Sequence, residues 1–219
     1  PYCRRRTECL VKIFNKLSMK LVLSKKELVV HITKQINNFF FISEDETSVI
    51  SSSLDVVLND LNECFKQCKN KYYNVEKNTI FDPLHSGQYI IFLCFLAKYL
   101  SLQLQEKMLA DKIYYLNKIM HSVDIYHEVQ LPQYIFFEHP LGSILGRAKY
   151  SNYLCIFQNC TVGGTTVVKK NTIHYPLLEE KIILFSGASI IGDCHIGRNV
   201  VIAANTKIKN QDIPGNLLV

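Results

Sequence analysis

The chain has 219 residues, of which 48% are hydrophobic and 20% are charged, and its formal net charge is +6. This length and hydrophobic content are enough for one large domain or two small ones around a buried core, which excludes a disordered chain. Residues 4–6 are three arginines that supply half of the net charge, and the other basic residues are scattered among acids, so we expect no nucleic-acid partner.

The eight cysteines do not indicate a secreted disulfide scaffold, because the chain is long and opens without an export signal. Cys64 and Cys68 lie four residues apart in a helical pattern, but no second pair accompanies them, so no metal site is predicted. The longest apolar run, residues 89–97, is about half of what a bilayer requires. We therefore expect a cytoplasmic protein without a membrane span.

Residues 1–18 fit poorly with the rest of the chain, and we interpret them as an added tail or an unstructured extension. Over residues 19–121 the apolar residues recur at spacings of three and four, which is typical of amphipathic helices. Pro83 interrupts this pattern. We expect one helix to end before it and the next to begin near His85.

Past residue 140 the periodicity changes. Six aliphatic residues follow one another at an unbroken spacing of six: Leu178, Leu184, Ile190, Ile196, Ile202 and Ile208. Neither an α-helix nor a simple hairpin strand repeats in this way, whereas the hexapeptide repeats of a parallel β-helix do. Cys160 and Cys194 occupy equivalent small-residue positions and are predicted to be core residues.

The predicted fold class is α+β: an α-helical domain over residues 19–121, followed by a parallel β-helix over residues 122–219. Several motifs of the second part occur together: Val123-Asp124-Ile125, Glu138-His139, Gly146, residues 158–165 (QNCTVGGT), His174, Gly187-Ala188, Ile191-Gly192, Ile196-Gly197-Arg198 and Ile213-Pro214. Through them, residues 120–219 resemble the serine acetyltransferase family of hexapeptide-repeat acyltransferases. The helical part resembles that family only around residues 82–99.

The resemblance implies a left-handed coil, an exception to the right-handed rule for parallel crossovers. It also implies acetyl-CoA as co-substrate, and a homotrimer or a dimer of trimers with active sites between subunits. Asp124 and His139 are fifteen residues apart, as the family's catalytic aspartate and histidine are. His139 would take the proton of the acceptor hydroxyl, and Asp124 would fix the imidazole tautomer.

The other site residues also follow from the resemblance. Gly163 and Gly164 would offer backbone donors to the oxyanion, or form a tight corner of the coil, and both interpretations can hold. The pantetheine arm of CoA would lie along Ser186, Gly187, Ala188, Ala204 and Asn205, with Lys209 near the phosphates or simply solvated.

Three residues are candidates for the acceptor. Glu138 replaces an aspartate of the family and could pair with an acceptor ammonium. Asp82 could be a second such carboxylate, although an aspartate before proline also suits a helix N-cap. His174 is separated from Pro176 by Tyr175, whereas the family has histidine directly before proline, so its contact with the acceptor stays open.

Three functions stay open at this point. The first is acetyl transfer from acetyl-CoA to the hydroxyl of L-serine or a similar acceptor. The second is O-acetylation of a sugar in surface polysaccharide synthesis, which the altered loop over residues 166–173 and the Glu138 substitution leave open. The third is a non-catalytic trimeric scaffold, which would need neither Asp124 nor His139.

Overall fold

The computed structural model describes residues 19–75, 78–167 and 172–219, so the predicted extension over residues 1–18 lies outside the described part. Four helices come first: α1 (Lys25–Asn37), α2 (Glu44–Lys66), α3 (Ser86–Leu102) and α4 (Lys107–His121). Parallel strands come after them, so the predicted order of helices and then strands is confirmed.

Helices α1 and α2 both begin with a capping box. The Ser24 hydroxyl accepts a hydrogen bond from the Glu27 backbone, and the Glu27 carboxylate accepts one from the Ser24 backbone at 2.8 Å. Ser43 and Glu46 repeat the arrangement at the start of α2. These pairs satisfy backbone donors that a helix leaves free, and so fix where both helices begin.

Helix α3 is the centre of the helical half. Every residue from 87 to 97 is buried, and the helix packs against α2, α4 and the first strand of the coil. This burial explains the longest apolar run of the sequence without a bilayer. No helix in the described ranges is long and apolar enough to cross a membrane.

A small sheet, which the helical periodicity did not predict, borders these helices. It contains β1 (Lys20–Leu21), β2 (Asn74–Val75) and β3 (Asn78–Phe81) in the order β1-β3-β2. Strands of two to four residues contain too few alternations to show a period of two. The purely helical prediction for residues 19–121 is therefore incomplete.

The second half consists of short strands: β4 (Ile135–Phe137), β5 (Ile144–Leu145), β6 (Lys149–Tyr150), β7 (Leu154–Ile156), β8 (Thr161–Gly163), β9 (Thr165–Val167), β10 (Thr172–His174), β11 (Leu177–Leu178), β12 (Ile182–Leu184), β13 (Ser189–Ile191), β14 (His195–Ile196), β15 (Val200–Ile202) and β16 (Lys207–Lys209). Apart from the antiparallel hairpin β9–β10, they form three parallel sheets, ordered β15-β12-β7-β4, β16-β13-β8-β5 and β14-β11-β6.

From β11 onward, the strands of neighbouring coils pair at a register of eighteen residues; earlier strand pairs are 17 or 19 residues apart, or 28 where the hairpin β9–β10 lies between them. Ile182 pairs with Val200, Ser189 with Lys207 and Leu177 with His195. Eighteen residues are three hexapeptides, so each coil gives one strand to each of the three sheets. The hexapeptide periodicity predicted from the sequence thus corresponds to the sides of the coil.

The interior of the coil is a stack of aliphatic side chains. All six residues of the predicted row, from Leu178 to Ile208, are at most 3% exposed. Cys160 and Cys194 are also buried, which confirms that they belong to the core. The helical and strand halves share one hydrophobic core through α3 and β4.

One corner of the coil is built from residues in the left-handed backbone region. Gly142, Asn159, Gly187 and Asn205 all have positive φ and lie at equivalent positions of successive coils. Asparagine tolerates this conformation better than most residues. At position 187 only glycine fits, because a Cβ there would collide with the Asn205 side chain.

The aliphatic stack predicts different costs for two neighbouring isoleucines. Ile190→Ala removes a fully buried side chain and leaves a cavity, so it should lower the free energy of unfolding by about 2–5 kcal/mol. Ile191→Ala, whose side chain is partly exposed on the same strand, should cost less than about 1 kcal/mol. Urea unfolding of both variants measures the difference, and equal losses would contradict the stacked core.

Candidate active site

Asp124 lies directly after α4, where the chain enters the coil. Its backbone pairs with β5: the Asp124 N–H donates to Ser143 O at 2.9 Å, and the Leu145 N–H donates to Asp124 O at 3.0 Å. Asp124 therefore extends the sheet that contains β5, β8, β13 and β16. This pairing fixes the backbone from which its carboxylate projects.

Two side chains of α4 hold the Asp124 carboxylate. The Tyr114 hydroxyl donates to Oδ1 and the Lys118 ammonium donates to Oδ2, each at 2.7 Å. Partial burial of Asp124 opposes ionisation, but the hydrogen bonds from Lys118 and Tyr114 outweigh it and lower the pKa of the carboxyl. The sequence prediction missed both residues, although their spacing of four on the last turns of α4 was the available signal.

His139 follows β4 and Glu138 in a turn with left-handed backbone, at φ 48°. Its carbonyl accepts a hydrogen bond from the Leu141 N–H at 2.8 Å, and its side chain is exposed. The turn ends at Ser143, whose carbonyl accepts the hydrogen bond from the Asp124 N–H. Within the described ranges the imidazole makes no hydrogen bond, so the predicted bond to Asp124 is not formed in this structure.

Glu138 faces the helical half. Its Oε1 accepts a hydrogen bond from Asn70 at 3.0 Å, in the loop that follows α2. Tyr73, in the same loop, is buried, and its pKa is raised by that burial and, to a smaller degree, by the charges of Cys68 and Glu138. The acceptor carboxylate predicted from the sequence therefore lies at the junction of helices and coil.

Asp82 does not cap α3, contrary to one of its two predicted roles. Its Oδ1 accepts from the Leu84 N–H at 2.9 Å in a local turn, and the cap of α3 is His85, whose Nδ1 accepts from the Gln88 N–H at 3.3 Å. Pro83 and Leu84 separate Asp82 from His85, so the aspartate lies three residues before the capping position.

The loop over residues 70–73 contacts the surroundings of both acceptor candidates. Asn70 donates to Glu138, while the Tyr72 carbonyl accepts from Gln88 Nε2 at 2.7 Å. The other side-chain atom of Gln88, Oε1, accepts from the Asp82 N–H at 2.7 Å. The structure thus connects Asp82 and Glu138 through one loop, although no hydrogen bond joins them in the described residues.

The two candidate oxyanion glycines have different surroundings. A Cβ at Gly163 would approach only Ile191 Cδ1, at 4.0 Å, so space is open beside this strand. A Cβ at Gly164 would lie 2.8 Å from the Tyr175 ring and 2.9 Å from His174 O. Gly164 is required for tight packing at this corner, whereas Gly163 leaves room for a ligand.

His174 belongs to the hairpin β9–β10, which contains the altered loop. His174 pairs with Thr165 across the hairpin, and its Nδ1 lies 3.1 Å from Asp193 Oδ2. Its Nε2 lies 3.4 Å from the Thr172 hydroxyl. Residues 168–171 lie outside the described ranges. The structure gives His174 an acidic partner, and its contact with an acceptor stays a prediction.

The predicted CoA residues separate into three environments. Ser186, Gly187, Ala204 and Asn205 lie together at the left-handed corner of the coil, and Lys209 is exposed on β16. Ala188 is fully buried, so its side chain points into the coil. The position four residues after Leu184 therefore faces the interior, and a contact of Ala188 with CoA stays a prediction.

No group of three or more histidine, cysteine, aspartate or glutamate side chains could hold a metal ion in the part of the chain that the structure describes.

Comparison with known proteins gives one consistent result. No protein-family model matches the chain. A serine acetyltransferase of Synechococcus elongatus is 31% identical over 106 residues, which are 48% of this chain and 42% of that protein. The Haemophilus influenzae serine acetyltransferase is 29% identical over 42% of this chain and 34% of its own length. The chain therefore spans about a third to a half of these two relatives.

Solved serine acetyltransferase structures share the fold of this chain. The Neisseria gonorrhoeae serine acetyltransferase superposes with a TM-score of 0.65 at 20% identity, covering 90% of this chain and 78% of that one. A serine acetyltransferase in complex with CoA superposes with a TM-score of 0.62, also at 20% identity, covering 80% and 70%. The resemblance to serine acetyltransferases is confirmed. At a sequence identity of 20%, the superposition with these structures establishes the fold alone.

The ion pair at Asp124 predicts a pKa change. Lys118→Met should raise the pKa of Asp124, because the ammonium that stabilises the carboxylate is lost. In the native chain the pKa of folded Asp124 is below its unfolded value, so the pair stabilises the fold above the unfolded pKa, and this contribution is lost as pH falls through the folded pKa. This acid-dependent part of the stability should shrink in the variant.

Carbon NMR titration of the Asp124 carboxyl measures the change directly. Lys112→Met is the matched control, because Lys112 lies on the same helix and pairs with Glu46 instead. An Asp124 pKa that is the same in native chain and Lys118→Met would contradict the proposed role of the ion pair.

Proposed function

We propose that the chain is an acetyl-CoA-dependent O-acetyltransferase that acetylates the hydroxyl of L-serine or a close analogue. The observation that carries this proposal is the position of Asp124 and His139, which flank one turn at the start of a parallel coil related in sequence and fold to serine acetyltransferases. A non-catalytic scaffold would need neither side chain.

His139 is the proposed general base. An alcohol is barely nucleophilic at neutral pH, so a base must remove its proton as the oxygen attacks the thioester carbonyl. An ionised carboxylate next to the imidazole would hold the tautomer and stabilise the imidazolium that forms. Lys118 and Tyr114 keep Asp124 ionised and leave it further lone pairs for such a bond.

The tetrahedral intermediate then carries a negative oxygen that needs donors. We propose that the backbone at Gly163 faces this oxygen, because the space beside it is open. Gly164 supports the same corner by packing against Tyr175.

We propose that acetyl-CoA lies along the corner formed by Ser186, Gly187, Ala204 and Asn205, and that Lys209, exposed on β16, meets its phosphates. One structural relative is a complex with CoA, which supports a nucleotide thioester as co-substrate. The corner offers small side chains and backbone amides, which allow an extended arm to approach closely.

The assembly and location are also part of the proposal. We propose a helical domain over residues 19–121 and a left-handed coil over residues 122–219, assembled as a homotrimer or a dimer of trimers. The eighteen-residue register from β11 onward and the superposition with serine acetyltransferases support this arrangement. A cytoplasmic location is supported by the six cysteines of the described ranges, which are all free thiols.

A catalytic base predicts a large and specific loss of activity. His139→Ala should lower turnover by about 10² to 10⁴, because the substitution removes the general base. The fold should stay intact, because the His139 side chain is exposed. Asp124→Asn should also lose activity. Thiol release from acetyl-CoA in the presence of serine is the assay, and His31→Ala, on α1, is the matched control. Near-normal turnover of His139→Ala would remove the mechanism.

The position of Glu138 predicts which substrate constant changes. If serine is the acceptor, its ammonium needs a carboxylate in a partly desolvated cleft. Glu138→Gln should then raise the KM for serine much more than the KM for acetyl-CoA. Glu63→Gln, an exposed residue paired with Lys66, is the control and should change neither constant.

The same assay separates serine from a sugar acceptor, the second candidate, which the hairpin in place of the family's loop favours. A sugar has no ammonium, so Glu138→Gln would act only through hydroxyl hydrogen bonds. Fast thiol release with an oligosaccharide or nucleotide sugar, and none with saturating serine, would assign the enzyme to sugar acetylation.

A further inference from the structure

A cavity of about 430 Å³ lies in the helical half, and none of its lining residues belongs to the candidate active site. Helices α2 and α3 form two walls, and residues 132–133, which lead into β4, form a third. The volume is within the range of small-molecule sites, roughly 300–1,000 Å³.

Two side chains of opposite charge, Lys98 and Asp60, line this cavity and form no ion pair with each other. The Lys98 ammonium, on α3, donates a hydrogen bond to Leu131 O at 3.1 Å. Asp60 lies on the α2 wall, at the more exposed side of the cavity. In the described ranges its carboxylate accepts no hydrogen bond, and no ion pair connects it to Lys98.

Each of the two charges nevertheless affects the pKa of the other group. Burial raises the pKa of Asp60, and the charge of Lys98 opposes that rise. Burial lowers the pKa of Lys98, and Asp60 opposes that fall. Because Leu131 uses one of the three ammonium protons, two protons of Lys98 and the oxygens of Asp60 are available to a ligand.

The charges and the apolar walls together select the chemistry of the ligand. A simple anion would pair with Lys98 but be repelled by Asp60, and a simple cation would meet the opposite conflict. A molecule with an ammonium and a carboxylate satisfies both groups. Val56, Phe95 and Leu102 line the cavity as well and offer an apolar surface to the remainder of the ligand.

We propose that this cavity is a binding site for an α-amino acid with an apolar side chain. The ligand ammonium pairs with Asp60, its carboxylate pairs with Lys98, and its side chain packs against Phe95 and Leu102. The site is separate from the acceptor site proposed at Glu138, and its existence does not depend on acetyl transfer.

Calorimetric titration of the full chain with L-leucine tests the proposal. The matched analogues are 4-methylpentanoate, which lacks the ammonium, and 3-methylbutylamine, which lacks the carboxylate. Leucine should bind saturably, and each analogue should bind at least about tenfold more weakly, since each loses a charged hydrogen bond. Equal binding of either analogue, or no saturable binding of leucine and L-phenylalanine, would overturn the proposal.

Variants of the chain assign the binding to this cavity. Lys98→Met keeps most of the apolar stem, and Asp60→Asn keeps the side-chain shape; each should weaken leucine binding by about tenfold or more. Lys34→Met, at an exposed position on α1, is the control and should bind like the native chain. Circular dichroism establishes that each variant is folded.

Leucine binding should persist in Glu138→Gln, because Glu138 lies outside the cavity. Loss of binding in that variant would place the amino acid at the acceptor site and overturn the proposal. Native affinity in both Lys98→Met and Asp60→Asn would overturn it as well.

Discussion

Stacking of one aliphatic side chain on the next, inside the coil, is the interaction on which the other features of the strand half depend. Ile190 and Ile208 are paired across neighbouring strands, and both are buried. A slip of one residue would turn every aliphatic side chain outward, so the register between neighbouring coils is strongly specified. The outward groups, including Gly163 and the corner at Gly187, are therefore held at fixed heights along the coil.

The helical half is fixed to the coil by one close approach. A Cβ at Gly87, in the first turn of α3, would lie 2.7 Å from Phe137 O and 2.8 Å from the Tyr73 hydroxyl. Only glycine lets the helix pack this closely against the end of β4. Glu138 and His139 follow Phe137 directly, so the packing of α3 helps to position the proposed acceptor carboxylate and the proposed base.

The strand half could be predicted because its period is strict and local. The spacing of six from Leu178 to Ile208 reports directly on which side chains face the interior, and burial confirms each of them. Four of these aliphatic residues also have a buried hydrophobic residue two positions before them, and Ala188 is one of these buried residues. The resemblance predicts a groove residue at this position, whereas the period of the coil places its side chain inside.

The junction between the halves could not be predicted in this way. The contacts of Glu138 with Asn70, and of Asp124 with Lys118, join residues whose meeting depends on how helices pack against the coil. Periodicity shows which face of an element is buried, but not which element covers it. The sheet β1-β3-β2 was not predicted for a related reason. Its strands are stabilised by pairing with one another, and they are too short to show a hydrophobic periodicity.

The position of Asp124 shows how the two halves depend on each other chemically. The carboxylate follows the last residue of α4, His121, by only three positions, where the helix macrodipole is negative and opposes an anion. Lys118 lies in the last turn of the same helix and offsets both the dipole and the carboxylate charge. Without this ammonium, burial and the dipole would both favour the protonated acid, which cannot stabilise an imidazolium. The helical half thus supplies the charge that keeps Asp124 ionised, and the coil supplies the turn that holds His139.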